Sequence, residues 1–146
     1  MLRPMILDYL QHTHKEGHDY LPTERNVERL LDLGLSGASM GDPVIVATSR
    51  LDNAIVGYLL WCSIDIGFDL PGNPCFGFGT YVHPKARGMG VAKQLHFKAL
   101  EIARQQGYTH VDGGAHNIAG LKLCLASNGE ITTAGIRWRT GYEGTE

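Results

Sequence analysis

Arg87-Gly88-Met89-Gly90-Val91-Ala92 is the segment of this 146-residue chain whose residue types and spacing say most about chemistry. An amphipathic stretch follows it directly. The first four amides of a helix have no intrahelical partner, and two glycines without side chains let an anionic phosphate approach those amides closely. A pyrophosphate suits such a place. His110 and Asp112 form a second group: on a strand, residues two apart point to one side and lie about 7 Å apart. A carboxylate beside an imidazole can make a general base tuned near neutral pH, although the same pair also suits a polar sheet margin. Cys124 is a third candidate, a thiol being a stronger acid than a phenol. Flanked by Leu121, Leu123 and Leu125, it reads equally as a small buried hydrophobe.

Regular elements must hold these residues in place. Cys75 to Val82 carries Phe76, Phe78, Tyr81 and Val82 among glycines and predicts a strand, which Pro84 ends. From Gly90 to Gln106 the stripe Val91, Leu95, Ala99 and Ile102 predicts a core-facing helix, closed by Gly107. Tyr108 to Asp112 is then a strand that returns parallel to the one before the helix, as a helical crossover requires. Upstream, residues 5 to 16 put Ile6, Tyr9, Leu10 and Thr13 on one helical face, and Thr23 caps a second helix bearing Glu24, Val27, Leu30 and Leu31. Gly34 to Gly41 reads as a loop. Val44 to Thr48 and Ala54 to Cys62 read as an antiparallel hairpin, and Asp65 to Pro74 as a long loop. Leu121 to Ala126 predicts a helix core. Ile131 to Arg139 predicts a last strand with Trp138 facing the core and Arg137 and Arg139 facing away.

With these elements in place, the sequence resembles the GNAT superfamily of acetyl-CoA-dependent N-acetyltransferases, whose signature is Q/R-x-x-G-x-G/A after a strand. Arg87 to Ala92 fits every fixed position, Val82-His83-Pro84 is a common lead-in, and Asn117-Ile118-Ala119-Gly120 partly matches an N-x-x-A element. The resemblance covers residues 44 to 130 in element order. It implies an α/β fold with a mixed, mostly antiparallel sheet, a central parallel strand pair, helices on both faces and a short or missing first strand. It also implies acetyl-CoA as cosubstrate, held by Arg87, Gly88, Met89, Gly90, Val91, Ala92 and Asn117 and by the backbone around Tyr81 and Val82, where the parallel strands splay. Amides near Val82 would serve as oxyanion donors. The first two helices, with Tyr9, Tyr20 and nearby histidines, would line the acceptor side.

The resemblance fails in one place. Members often carry a tyrosine as the acid that protonates the departing thiolate. Counting seven residues on from Asn117 reaches Cys124, counting back from Asn128-Gly129 reaches Leu125, and neither is a phenol. The expected activity is acetyl transfer to a primary amine of a small molecule or peptide, with Asp112, His110 and Cys124 as catalytic candidates. Its rivals are a non-catalytic acyl-CoA-binding module and a generic phosphate-binding α/β domain. Against the last, the loop lacks the Lys-Ser/Thr of a P-loop, and no acidic residue lies at a ribose-binding spacing.

Composition sets the outer bounds. An apolar content of 43% over residues 1–146 is enough for one core, so a single domain is expected. Thirteen Lys plus Arg against fifteen Asp plus Glu give no basic field for a nucleic-acid backbone. The amino-terminal residues build no long apolar run, which predicts neither signal peptide nor membrane span and a cytoplasmic protein. Three widely spaced cysteines, Cys62, Cys75 and Cys124, fit reduced thiols. His12, His14, Glu16 and His18 invite a metal, but Gly17 weakens the helix that would align them and no third ligand has a familiar spacing, so none is expected. The short tail Gly141 to Glu146 leaves little room for a closing strand, which a reduced sheet or a homodimer would make good.

Overall fold

The computed structural model describes residues 2–15, 21–39, 44–62, 74–115 and 118–129. Helix α1 (Arg3–Lys15) and helix α2 (Glu24–Ser39) come first, followed by the antiparallel strands β1 (Val44–Thr48) and β2 (Ile55–Cys62). Strand β3 (Pro74–Val82) leads through a 3-10 turn at Pro84–Ala86 into helix α3 (Val91–Gln105), then strand β4 (His110–Asp112) and helix α4 (Ile118–Ala126). The sheet order is β1-β2-β3-β4, with β3 and β4 parallel and the other pairs antiparallel. That is the mixed, mostly antiparallel sheet expected. Among the described residues, the parallel pair lies at one end of it rather than in its centre. The Asp65 to Pro74 loop, apart from its last residue, and the strand over Ile131 to Arg139 fall outside the described residues.

Strand β2 explains why both faces are covered. Its sequence is an almost unbroken apolar run, the pattern of a strand buried on both sides, and its side chains alternate between two cores. Tyr58 and Leu60 join Met5, Ile6, Leu10, Val27 and Tyr81 under α1 and α2, whereas Leu59 joins Leu95, Ala99 and Ala103 beneath α3. Strand β3 alternates in the same way, with Tyr81 on the α1 side and Val82 on the α3 side. Arg3 ties α1 to α2 by pairing with both Glu24 and Glu28.

Helix α2 is capped as its sequence predicts, Asn26 N donating to Thr23 Oγ1 at 3.3 Å. It does not stop at Gly34. The helix runs to Ser39 through the stretch that reads as a loop, because a tertiary contact overrides low helix propensity there. At Gly34 the helix rests on the sheet, with Leu60 Cδ2 and Val44 Cγ2 3.4 and 3.7 Å from the place a Cβ would take, ordinary van der Waals distances.

Gly57 is the tightest point between β2, β3 and α3. A Cβ there would lie 2.9 Å from the Tyr81 carbonyl oxygen and 3.3 Å from both Leu95 and Val91. Gly57→Ala is therefore expected to lower the unfolding free energy by about 1–3 kcal/mol. The check is the urea midpoint, which should fall with an unchanged denaturant slope.

Candidate functional site

The turn between β3 and α3 is built by its own backbone. Ala86 N donates to His83 O at 2.8 Å and Arg87 N to Pro84 O at 3.2 Å, while His83 Nδ1 accepts from Lys85 N. Gly88 and Gly90 then take φ of +78° and +77°, a left-handed conformation that costs a side-chain-bearing residue about 1–2 kcal/mol. Gly90 is also the N-cap of α3 and offers no side chain to its amides. The first intrahelical bond is Gln94 N to Gly90 O at 3.1 Å, so the amides ahead of Gln94 lack an intrahelical acceptor and carry the positive end of the helix dipole. A Cβ built on Gly88 or Gly90 meets no atom within 4 Å. The loop thus presents open amides beside open space, which is the fit an anionic phosphate needs. Gly88, Met89 and Gly90 are exposed, and Val91 and Ala92 half-buried, at this helix start.

Strand β3 continues the surface toward the sheet. Its pairing with β4 covers only Pro74↔His110, Cys75↔Val111 and Phe76↔Asp112, and β3 itself extends to Val82. Beyond Phe76 the two parallel strands part. On its other edge, β3 stays paired with β2, and His83 N donates to Val56 O at 2.8 Å. Because antiparallel pairs alternate between hydrogen-bonded and non-bonded, this bond makes Tyr58/Tyr81 a bonded pair. The main-chain groups of Thr80 and Val82 are then turned to the open edge. The surface expected from Tyr81 and Val82 is carried by Val82 and Thr80, Tyr81 spending its own backbone on β2. Arg87 braces this edge from outside, its Nε donating to Val82 O at 3.1 Å. A bulge lies further along: Leu60 pairs with Gly79 but Trp61 with Gly77, leaving Phe78 as an extra residue in β3.

Side chains flank the open edge on both faces. On the α3 face, Thr80 Oγ1 and His96 Nε2 are 2.9 Å apart, and burial holds the imidazole below its ordinary pKa. On the α1 face, the Tyr81 hydroxyl donates to the Asp8 carboxylate, and the Tyr81 ring stacks on Tyr58 with centroids 5.5 Å apart. Burial, and next the hydrogen bond to Asp8, push the Tyr81 phenol well above its ordinary pKa, so it remains a donor. Neither Asp8 nor His96 stands in a sequence motif. A polar residue amid a helix's apolar positions, as His96 is beside Leu95 and Ala99, is the one sequence signal that marks them.

The other candidates lie elsewhere. His110 is exposed at the far end of β4, with Thr109 Oγ1 2.9 Å from its Nδ1. Asp112 closes the β3–β4 pairing opposite Phe76, about 7 Å of strand short of the bulge at Phe78. Cys124 is half-buried on α4, its carbonyl accepting from Ser127 N and Gly129 N at 3.1 and 2.9 Å. Asn117 falls outside the described residues, as do Glu16, His18 and Tyr20. Of the first helix's residues, Tyr9 and His12 are half-buried and His14 exposed. Among the described residues no group of three metal-ligating side chains forms, and no helix is long and apolar enough to cross a membrane.

Comparison with known proteins gives a consistent picture. The sequence model of the acetyltransferase (GNAT) family matches residues 6–124. No curated protein matches the sequence. Among solved structures, a ribosomal-protein-alanine N-acetyltransferase from Brucella melitensis is 22% identical over 86% of this chain and 76% of its own, with a TM-score of 0.66. A mutant protein from Bacillus halodurans superposes with a TM-score of 0.70 at 11% identity, over 94% of this chain and 90% of its own. An aminoglycoside acetyltransferase, AAC(6')-Iy, bound to the bisubstrate analogue CoA-S-monomethyl-acetylneamine, is 21% identical over 80% of this chain and 76% of its own, with a TM-score of 0.55. These likenesses are likenesses of fold.

His96 gives the site a pH signature. With its folded pKa lowered, the unfolded chain takes up the proton at higher pH than the folded one, so His96's contribution is full above an ordinary histidine pKa of about 6.5 and is lost as pH falls below it. Urea titrations across pH 5 to 8 should show the parent losing stability relative to His96→Gln only on the acid side. A pH-independent difference would contradict the assignment.

Proposed function

Since the chain belongs to the GNAT acetyltransferase family, whose sequence model spans most of its length, we propose that it transfers acetyl from acetyl-CoA to a primary amine of a small molecule or a peptide. The observation that carries the reading is the continuity between the α3 amides and the edge of β3 that, among the described residues, has no strand partner beyond Phe76. Anion-binding amides beside Gly88 and Gly90 lead directly to outward-turned main-chain groups at Val82 and Thr80. A pyrophosphate followed by an amide-bearing arm is the ligand shape that uses both. Acetyl-CoA has that shape and supplies an activated acetyl thioester.

Each part of the chain then has a role. The amides from Gly88 to Ala92 hold the pyrophosphate, and Arg87 adds a cation beside them while bracing Val82. Val82 and Thr80 align the arm as an added strand would. Donors on the β3 edge near the bulge face the carbonyl oxygen on which charge develops, a task that needs only backbone N–H groups. Asp112, the β4 residue paired nearest the bulge, is the proposed base, with His110 one same-side position further along the strand. Cys124 is the alternative proton donor. The three widely spaced cysteines, which do not make a disulfide framework, support a cytoplasmic setting.

Calorimetry with acetyl-CoA tests the coenzyme site. Gly90→Val should remain folded and lose at least about 100-fold in affinity, because its side chain enters the space beside the amides. Arg87→Ala should lose about tenfold, the scale of one charge-assisted hydrogen bond. Unchanged affinity in a folded Gly90→Val protein would remove the loop from the site. Thiol-release assays over an amine panel test the chemistry. Asp112→Asn should lower the maximal rate about 100-fold with coenzyme affinity kept, and Cys124→Ser should stay within twofold. The reverse order would make Cys124 the proton donor. A parent protein that binds acetyl-CoA tightly yet releases no thiol with any amine would be a binding module.

A further inference from the structure

Strand β1 forms the other end of the described sheet, and its register settles which of its main-chain groups turn outward. With Tyr58 bonded to Tyr81, the neighbouring Gly57 and Leu59 turn their backbone to β1, where they pair with Ala47 and Ile45 respectively. Ser49 N, donating to Ala54 O at 2.8 Å, follows the same alternation. Ile45 and Ala47 thus spend their main chain on β2, and Val44, Val46 and Thr48 offer theirs to the outside. No described strand pairs with them. Proteins ordinarily blunt such an edge with a charged side chain, a proline or a bulge. The five residues of β1, Val-Ile-Val-Ala-Thr, include no charge and no proline. The register shift between Ala47 and Thr48 leaves its extra residue, Val56, in β2, so β1 itself runs regular.

This edge is complementary to itself. Set antiparallel against a second copy with Val46 opposite Val46, Val44 falls opposite Thr48 on both sides of the twofold axis. All three outward-turned positions then meet outward-turned positions, and each such pair exchanges two main-chain hydrogen bonds. The side chains agree with the backbone. Val44, Val46 and Thr48 share the α2 face, while Ile45 and Ala47 pack toward α3. Val46, 43% exposed, would stand about 5.5 Å from its own copy between Cα atoms, as a β-branched cross-strand pair. Two strands alone make a marginal joint, but the exposed Leu33 and Leu35 stand on either side of Gly34, where α2 meets Val44, and add apolar surface near this edge. The ends match in charge as well. The Thr48 end of one strand leads to the exposed Arg50 and comes to the Val44 end of the other, which Asp42 precedes in the sequence.

We infer that β1 is a homodimer interface at which two copies of the chain join edge to edge, their described strands forming one sheet of order β4-β3-β2-β1-β1-β2-β3-β4. The pairing is isologous and closed, so assembly stops at two copies. Strand β2 stands between the joint and β3, which leaves the open edge of β3 accessible in each copy. The inference is independent of the acetyltransfer reading.

Sedimentation velocity over about 1 to 100 µM protein, together with amide hydrogen exchange read residue by residue, tests the interface. The parent should sediment as a dimer. Val46→Lys, which sets a charge opposite its own copy, should give a folded monomer in which the Val44 and Thr48 amides exchange at least about tenfold faster than in the parent, while the Ile45 and Ala47 amides, turned to β2, stay within about twofold. Arg50→Glu should weaken dimerisation about tenfold, and adding Asp42→Lys should restore it to within about threefold. This exposed pair serves as the test if Val46→Lys does not fold. A parent that is monomeric throughout the range overturns the inference; protected Val44 and Thr48 amides in that monomer would show that a segment outside the described residues covers the edge. A dimer that survives Val46→Lys, that is indifferent to Arg50→Glu, or whose outward β1 amides exchange freely overturns it too, since its joint then lies elsewhere.

Discussion

The pairing of β3 with β4 ends at Phe76 and Asp112, while β3 itself continues to Val82. The proposed coenzyme site depends on that early parting. Main-chain polar groups within a fold nearly always find partners, and a strand edge that no described strand covers is a template for another extended chain. Two features keep the edge open. Pro84 and the 3-10 turn divert the chain at the end of β3, and the short β4 gives way to Gly113, Gly114 and Ala115 rather than continuing alongside.

The alternation of strand side chains divides the labour around this edge. Val82 faces α3, whose exposed amino end carries amides without intrahelical acceptors. Tyr81, the next residue back, faces α1 and holds Asp8. One residue of strand thus separates a positively polarised loop from a negatively charged aromatic cluster. Gly57, Tyr58 and Leu59 on β2 keep this geometry by packing against both faces at once.

The glycine loop ahead of α3 is legible in the sequence because its requirements are local. A strand, a proline, two glycines and an apolar helical stripe all lie within one continuous stretch, and each has its own backbone rule. The left-handed φ values at Gly88 and Gly90 and the uncapped start of α3 follow from those residues with little help from the rest of the chain. The caps at Thr23 and the β1–β2 pairing were readable for the same reason. Past Gly34 the local residues favour a loop, whereas α2 continues to Ser39, packed on Leu60 and Val44 of strands that follow it in the chain.

By itself the sequence determined the order of the described elements, the parallel crossover and the loop's backbone geometry, since periodicity, turn residues and helix termini act over a few neighbouring positions. Only the tertiary structure decided which outward-turned backbone groups line the open edge. That depends on which β2–β3 pairs are hydrogen-bonded, a matter of register between distant segments. It alone also brought Asp8 to Tyr81, across half the chain, and Thr80 to His96. A side chain's partner across a sheet face is set by packing of elements rather than by its neighbours in sequence, so an aspartate and three tyrosines scattered along the chain carry no motif until the helices close on the strands.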